Sequence, residues 1–441
     1  MNSLSLFFYN IFLRLYPLGI RIASIWNDKA SLWIKGRKNI FEKIHSTLNT
    51  QHSIPNTQVI WMHCASLGEF EQGLPLIEKI RKEYTRHTIV ITFFSPSGYE
   101  IQKKFKGADH IFYLPADSYE NAKKFIALIN PTLVLWIKYE FWYHYLQELK
   151  KRKIPVLLIS GAFRTEQPFF KWYGNFWKKM LDCFRHYFLQ NEDSKILLEK
   201  IGIKNISVSG DTRFDRVIQI AENFEEISLI KEFIGQNKVI VAGSTWEDDE
   251  AEIIHYAKVN SQVKLIIAPH EVDKENLADV KKEFSNSIFY SEWIKYNKQQ
   301  AIGNRQSAEQ TTNYKLQTTN CLIIDNIGIL SRLYKYADIT YVGGGFGDDG
   351  LHNILEAAVY GKPVIFGPHF EKNFEAEELI EYGGGIVIEN ALDLEKVFNR
   401  LLNDDIELKK YGAAAKDYVY NKAGATEKIL NFIQENRLLT N

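Results

Sequence analysis

Cysteine is scarce in this chain, with three among 441 residues. Cys64, Cys183 and Cys321 stand far apart and are odd in number, so the sequence shows no disulfide framework. No group of His, Cys and Asp has the spacing of a zinc site. We therefore expect a reducing compartment and no bound metal.

The chain also has no excess of charge of one sign, because 54 Lys and Arg balance 54 Asp and Glu. A general nucleic-acid binder is usually basic, so we expect no nucleic-acid partner. The hydrophobic share of 45% and the charged share of 24% are ordinary for globular proteins. A length of 441 residues is long for a single core and predicts two or three domains.

A clean membrane-spanning run is missing from the N-terminus, although residues 4–25 are rich in Leu, Ile, Phe and Tyr. Arg14 and Arg21 interrupt the run, and Pro17 would kink a helix there. No signal-peptide cleavage site follows it. A basic, aromatic-rich segment is typical of a helix in the membrane interface on the cytoplasmic side. The alternative is a helix packed on the protein body.

Beyond residue 58, short runs of Val, Ile and Leu alternate with amphipathic helical segments. This alternation is typical of parallel sheets covered on both faces and predicts two doubly wound α/β domains joined near 211–236. A polar stretch at 295–320 is predicted to be a surface insertion. The predicted strands are 59–65, 88–94, 111–114, 132–137, 155–160, 186–190 and 205–210, then 238–244, 264–270, 321–325, 339–344 and 363–368.

The segment 338–369 places three glycines, 343–345, between a predicted strand and a helix that should open near Leu351. Glycine lets the backbone approach a ligand, and a helix N-terminus favours an anion. On that helix His352, Asn353 and Glu356 would share a face, and Glu356 can accept hydrogen bonds from a ribose. A glycine-rich turn with a solvated helix face is the alternative. With the second loop at 367–369, we predict a nucleotide site.

A second candidate site follows the first predicted strand, where Ser66 precedes a helix and Glu69 stands three residues later. This spacing is that of a capping box, which gives Glu69 a structural role. A carboxylate in the first turn of a helix at a strand end can also take a proton from a substrate hydroxyl. The residue pattern leaves both roles open. Arg164, after another strand, can hold a carboxylate or a phosphate.

Eight short motifs occur in order along the chain, at 65–69, 95–98, 113–117, 140–142, 210–215, 343–344, 352–356 and 367–369. In combination they resemble a known family, the 3-deoxy-D-manno-octulosonic acid (Kdo) transferases of lipopolysaccharide core assembly. The resemblance runs from the N-terminal segment to about residue 425.

The resemblance implies a GT-B-like α/β fold with two doubly wound Rossmann-like domains facing across a cleft. It implies CMP-Kdo as donor, the lipid A precursor as acceptor, no further cofactor, and the cytoplasmic side of the cell inner membrane as the location. The expected segments are 1–40 as a membrane-associated segment, 41–215 as the acceptor domain, 216–425 as the CMP-sugar domain and 426–441 as a terminal helix or tail.

The resemblance also assigns residue roles. Glu69 matches the general base, and Glu140 and Arg213 match positions that support the transition state. The positions expected to contact CMP are Pro269, His270, Ile327, Gly328, Ile329, Asn353, Ile354, Leu355 and Glu356.

The chain departs from the family pattern at three places. An expected Arg is missing beside Pro269-His270, a carboxylate is missing in 327–329, and Lys138 stands where a second Glu is common. Two rival functions stay open. One is another GT-B transferase or epimerase that uses a UDP- or GDP-sugar, and the other is a non-catalytic nucleotide- or lipid-binding membrane protein.

Overall fold

The computed structural model of the protein describes residues 2–50, 58–138, 140–301, 319–348, 350–371 and 373–440. The chain divides into two compact units. One consists of Met1–Arg216 together with Ala423–Asn441, and the other is Val217–Lys422. Each unit has a seven-stranded parallel sheet.

Three helices precede the first sheet: α1 (Asn2–Ala23), α2 (Asp28–Arg37) and α3 (Ile40–Thr50). The sheet strands lie in the order β3-β2-β1-β4-β5-β6-β7. The strands are β1 (Val59–Cys64), β2 (Thr88–Phe93), β3 (His110–Tyr113), β4 (Leu133–Ile137), β5 (Val156–Gly161), β6 (His186–Leu189) and β7 (Ile206–Val208). The helices between and after them are α4 (Leu67–Glu83), α5 (Pro96–Gln102), α6 (Tyr119–Ile129), α7 (Tyr143–Lys151), α8 (Asn175–Leu181), α9 (Glu192–Lys200) and α10 (Thr212–Glu222), with a 3-10 turn at Pro168–Phe170.

The second sheet has the order β10-β11-β9-β8-β12-β13-β14. Its strands are β8 (Val239–Thr245), β9 (Lys264–Pro269), β10 (Ser287–Phe289), β11 (Cys321–Ile323), β12 (Ile339–Val342), β13 (Val364–Phe366) and β14 (Gly385–Val387). The helices are α11 (Ser228–Ile234), α12 (Glu247–Val259), α13 (Lys274–Glu283), α14 (Tyr290–Ala301), α15 (Leu330–Leu333), α16 (Leu355–Ala358), α17 (Phe374–Glu381), α18 (Ala391–Asn403), α19 (Asp405–Lys422) and α20 (Ala425–Glu435), with a 3-10 turn at Tyr334–Tyr336.

The strands are buried on both faces, which explains their continuous apolar sequences. In β1, Trp61 joins the core on one side of the sheet, while Ile60 and Met62 join the core on the other side. This alternation is the two-residue period of a strand. The twelve predicted strands all form, with ends that differ by a few residues.

Three local features were predicted wrongly, missed, or lie in part outside the described residues. The helix predicted to open near Leu351 is wrong in extent, because α16 spans only Leu355–Ala358. The edge strands β10 and β14 were not predicted. Of the predicted insertion at 295–320, residues 302–318 lie outside the described residues.

The C-terminal helix α20 belongs to the first unit. Its residues Ile429, Leu430 and Ile433 lie in the same core cluster as Ile60 and Met62. The Asp215 carboxylate fixes the start of this helix by accepting hydrogen bonds from the backbone N–H of Gly424 (2.6 Å) and Thr426 (2.7 Å). The residues predicted as a separate terminal segment therefore complete the first core.

The N-terminal helix α1 packs on the first unit through one face. The Tyr9 hydroxyl donates a hydrogen bond to Asp117 Oδ2 (2.7 Å), and Asn10 Oδ1 lies 2.8 Å from His144 Nε2. The opposite face exposes large apolar side chains, among them Phe7, Phe8, Phe12, Leu15 and Leu18. Judged by length and composition alone, the segment Leu4–Ala23 is long and apolar enough to cross a membrane.

Arg37 ties α2 to the edge of the first sheet. Its guanidinium donates hydrogen bonds to the carbonyls of Leu114 (2.9 Å) and Phe94 (2.7 Å) and lies 3.9 Å from the centre of the Trp33 ring. The rings of Phe94 and Tyr113 also lie within 5 Å of it. Burial lowers the pKa of Arg37 to about 9.

We predict that Arg37→Met lowers the free energy of unfolding of the first unit by about 3 kcal/mol, because two carbonyls lose a charged donor in an apolar setting. Denaturant unfolding followed by tryptophan fluorescence measures this loss. Lys35→Met, on the exposed side of α2, is the control and should change stability by less than about 0.5 kcal/mol. Equal effects of the two substitutions would contradict this account of Arg37.

Candidate functional site

The first candidate site lies where the strand order of the first sheet reverses. From β1 the chain proceeds to β2 and β3 on one side, and from β4 it proceeds to β5 and β6 on the other. Ligands of open α/β sheets bind at such a switch point, beyond the carboxyl ends of the strands. Glu69 lies in the first turn of α4 after β1, and Lys138 and Glu140 follow β4.

Glu69 is buried, with 8% of its side chain exposed. Its Oε2 accepts a hydrogen bond from the backbone N–H of Ala65. Burial is the largest cause that raises the pKa of Glu69. The Ala65 hydrogen bond and the charge of Lys138 oppose it, the charge of Glu140 adds to it, and the net pKa is about 8. A carboxyl group with this pKa is half ionised at about pH 8, and its ionised form can act as a general base.

The predicted capping box does not form in the expected way. Within the described part of the chain, the Ser66 side chain makes no capping hydrogen bond, although Ser66 is the N-cap of α4. Glu69 instead binds the N–H of Ala65, one residue further from the helix. The carboxylate thus has a structural role at the helix start through one oxygen, Oε2.

Arg213 is oriented by an ion pair with Asp211. The Arg213 Nε and Nη2 atoms each lie 2.8 Å from Asp211 Oδ2, in a fork-like arrangement. Asp211 also accepts a hydrogen bond from Gln190 Nε2 (2.7 Å). Thr212 Oγ1 donates to the carbonyl of Gln72 (2.6 Å), which lies one turn after Glu69 on α4. These contacts bring the start of α10 and the start of α4 to the same edge of the sheet.

Lys138 lies within this group of charges. Its backbone has a φ of +59°, in the left-handed region that few non-glycine residues adopt. Burial lowers the pKa of Lys138, and the positive charge of Arg213 lowers it further, while Asp211 and Glu69 raise it. Burial also raises the pKa of the Glu140 carboxyl group. The backbone carbonyl of Glu140 accepts a hydrogen bond from Trp136 Nε1 (2.8 Å).

The structure thus brings the three predicted catalytic residues, Glu69, Glu140 and Arg213, to one edge of the first sheet. Sequence reasoning did not assign roles to Asp211 or Gln190, although Asp211 stands in a motif that was recognised. Gln190 follows β6, so its position at a strand end was the available signal.

The second candidate site lies at the switch point of the second sheet, between β8 and β12. Trp246 follows β8, His270 follows β9 and His352 follows β12. Trp246 Nε1 donates a hydrogen bond to His352 Nε2 (3.1 Å), and the two rings lie 18° from parallel. The His270 ring stacks on both, with centroid distances of 4.6 Å to Trp246 and 4.4 Å to His352.

Asp249 holds the glycine loop of this second site. Its Oδ2 accepts hydrogen bonds from the N–H groups of Gly344 (2.8 Å) and Trp246 (3.0 Å), and its Oδ1 accepts one from the Tyr341 hydroxyl (2.6 Å). Gly344 has a φ of +90°, which explains the need for glycine. A Cβ on Gly345 would lie 2.7 Å from the backbone N of Gly367, so the two predicted loops are in direct contact.

The residues expected to contact CMP have different environments. Asn353 Nδ2 donates to Glu356 Oε1 (3.2 Å), and Asn353 Oδ1 accepts from the N–H of Leu355 (3.2 Å). Because α16 begins at Leu355, His352 and Asn353 precede the helix and do not share a helical face with Glu356. Ile354 and Leu355 have buried side chains, so only their backbone atoms are available to a ligand.

The other expected nucleotide positions lie at the same edge of the second sheet. Pro269 and His270 stand at the end of β9, and residues 327–329 form the loop after β11, with Gly328 at a φ of +99°. Sequence reasoning missed Trp246 and Asp249, although both follow β8 within four residues. Among the described residues, no three His, Cys, Asp or Glu side chains come together as a metal site.

Comparison with known proteins shows similarity to one family of glycosyltransferases. A profile of the family described as 3-deoxy-D-manno-octulosonic-acid transferase (kdotransferase) matches residues 38–216. A 3-deoxy-D-manno-octulosonic acid transferase of Aquifex aeolicus is 27% identical over 358 residues, which cover 79% of this chain and 88% of that protein.

A bifunctional glycosyltransferase/methyltransferase of Fusobacterium nucleatum is 26% identical over 412 residues, or 90% of this chain. The chain spans only 59% of the length of that relative.

Solved structures show the same fold. A glycosyltransferase from Rickettsia africae has a TM-score of 0.55 with 18% identity, covering 88% of this chain and all of the other. The predicted fold class, two parallel-sheet α/β units of GT-B-like type, is confirmed. Over most of its length the chain is similar to Kdo transferases, and residues 38–216 match the model of that family.

Proposed function

We propose that this protein transfers Kdo from CMP-Kdo to a lipid A precursor, with Glu69 as the general base. Similarity to Kdo transferases over most of the chain supports the donor and the acceptor. The observation that carries the role of Glu69 is its burial at the switch point of the first sheet, where its pKa is raised to about 8.

In the proposed reaction, Glu69 takes the proton of an acceptor hydroxyl as the oxygen attacks the anomeric carbon of Kdo. The bond from that carbon to the CMP phosphate breaks, and the phosphate leaves with its negative charge. Cationic side chains stabilise such a developing charge. We assign this role to Arg213, which Asp211 orients, and we propose that no cofactor other than the donor takes part.

We assign the CMP moiety to the second unit. The glycine loop at Gly343–Gly345 lies against Gly367 and His352, and the His352 ring stacks with the rings of Trp246 and His270. Stacked rings beside a glycine backbone that a ligand can approach closely suit a nucleoside monophosphate. Glu356 is available to a ribose only if its hydrogen bond with Asn353 (3.2 Å) is shared or exchanged.

We further propose that α1 places the first unit on the cytoplasmic face of the inner membrane. The inner face of α1 is bound to the protein through Tyr9 and Asn10, so an interfacial position fits better than a spanning one. Its exposed apolar stripe is typical of a helix buried by one face at the level of the lipid headgroups. The acceptor would then be reached from the membrane surface, with no role for nucleic acid.

Glu69→Gln tests the base. We expect transfer to fall roughly 10²–10⁴-fold while CMP binding is retained. In the wild type the rate should rise with pH through about 8, because the ionised form is the active one. Mass spectrometry of the product formed from CMP-Kdo and lipid A precursor measures turnover. Glu71→Gln on the same helix is the control and should retain most activity.

Thermal unfolding adds an independent readout for the same variant. A folded-state pKa raised above the unfolded value means that wild-type stability falls as pH rises between about 4.5 and about 8. Glu69→Gln should lose less stability over that range. Near-normal turnover in the variant would reject Glu69 as the base.

Trp246→Phe tests the second site. The substitution preserves an aromatic ring but removes the hydrogen bond to His352, so we expect CMP affinity to fall about two- to ten-fold. Trp246→Ala should weaken it further. Isothermal titration calorimetry with CMP measures the effect. Trp293→Phe, which also removes an indole hydrogen bond in the same unit, is the matched control and should leave affinity unchanged.

The double substitution Phe8→Glu with Leu15→Glu tests the role of α1. Both side chains are 58% exposed on the stripe, so the fold should persist while the protein moves from the membrane to the supernatant. Cell fractionation measures this shift. The control, Leu392→Glu with Ile406→Glu, changes exposed apolar residues of the second unit. An unchanged distribution of the α1 variant would show that the stripe does not bind membrane.

A further inference from the structure

Trp172 is the most exposed large hydrophobic residue of the described chain, with 86% of its side chain accessible. Tyr173 beside it is 45% exposed. Both stand between the 3-10 turn at Pro168–Phe170 and helix α8. Neither residue has a role in the proposed chemistry, and exposed aromatic groups of this size mark interaction surfaces.

A series of ring contacts connects Trp172 to α1. The ring centroids of Trp172 and Tyr173 lie 5.5 Å apart, those of Tyr173 and Trp177 lie 6.3 Å apart, and those of Trp177 and Phe176 lie 5.3 Å apart. Phe176 in turn lies 5.4 Å from Tyr9 on α1. We call residues 172, 173, 176 and 177 the aromatic segment. Through Tyr9, on the inner face of α1, this segment packs against the helix whose opposite face carries the exposed apolar stripe.

The charges around the aromatic segment are mainly positive. Lys171, Lys178 and Lys179 flank the rings, and Lys179 is exposed. Trp and Tyr are enriched at the level of lipid headgroups, where the apolar part of the side chain contacts lipid and its polar N–H or O–H contacts water. Lysines near an anionic bilayer add electrostatic attraction. This composition suits an anionic lipid surface better than an apolar protein groove.

We propose that the aromatic segment is a second membrane contact, which inserts Trp172 and Tyr173 into the headgroup region of an anionic bilayer. The inference rests on the proposed membrane association of α1 and is independent of the chemistry at Glu69. A single interfacial helix leaves the first unit free to roll about the helix axis. A second contact, some 150 residues away along the chain, removes that freedom and fixes the orientation of the unit on the membrane.

An introduced thiol at each contact tests the proposal in the full-length protein. The three native cysteines are buried, so Phe8→Cys, Trp172→Cys and Ile406→Cys each provide an accessible site for an environment-sensitive fluorophore. Each labelled protein is mixed with vesicles of phosphatidylethanolamine containing about a quarter phosphatidylglycerol, and with vesicles of phosphatidylcholine alone. We expect a blue shift at positions 8 and 172 on the anionic vesicles and none at position 406.

The outcomes separate this proposal from the membrane role of α1. A shift at position 8 without one at position 172 would overturn the second contact and leave the role of α1 intact. No shift at either position would overturn both. A shift of equal size at position 406 would show that the label drives binding and would also overturn the proposal.

A binding measurement without any label completes the test. Trp172→Ala should weaken co-sedimentation with the anionic vesicles about ten-fold, because a large interfacial side chain is lost. Ile406→Ala is the matched control on the second unit and should have no effect. Unchanged vesicle affinity of Trp172→Ala would overturn the second membrane contact.

Discussion

Burial of the Glu69 carboxylate at the switch point of the first sheet is the constraint on which the proposed chemistry depends. Removal from water raises the pKa of this carboxyl group, whereas the hydrogen bond from the Ala65 N–H and the charge of Lys138 lower it. Above the unfolded-state pKa the buried carboxylate costs stability, and in return the fold holds a base that becomes ionised at about pH 8. Lys138 adopts an unfavourable left-handed backbone conformation at the same place, which is common at functional sites.

The same topology produces the second candidate site. In both sheets, the loops after two adjacent strands diverge at the point where the strand order reverses. The first sheet places charged groups there, and the second places the Trp246, His270 and His352 rings with a glycine loop held by Asp249. Acid–base chemistry and nucleotide stacking thus use equivalent positions of two similar sheets.

The fold class and the positions of most strands along the chain were predictable from the sequence, because buried parallel strands have continuous apolar runs. The position of Glu69 at a strand end was also predictable, but its bond to Ala65 was not, since spacing alone favoured Ser66. The Trp246–His352 hydrogen bond joins residues 106 positions apart and has no local signal. The helix predicted to open near Leu351 was overestimated, because residues 351–354 precede α16 and Asn353 Oδ1 accepts the N–H of Leu355 there. The place of α20 in the first core depends on tertiary packing alone.

The most direct measurement of the central claim is the titration of Glu69 itself. Infrared difference spectra between wild type and Glu69→Gln, recorded in deuterated buffer across the pH range, isolate the carboxyl band of this residue. The account predicts a protonated band that converts to carboxylate with a midpoint of about 8. A midpoint near the ordinary value of about 4.3 for glutamate would contradict it.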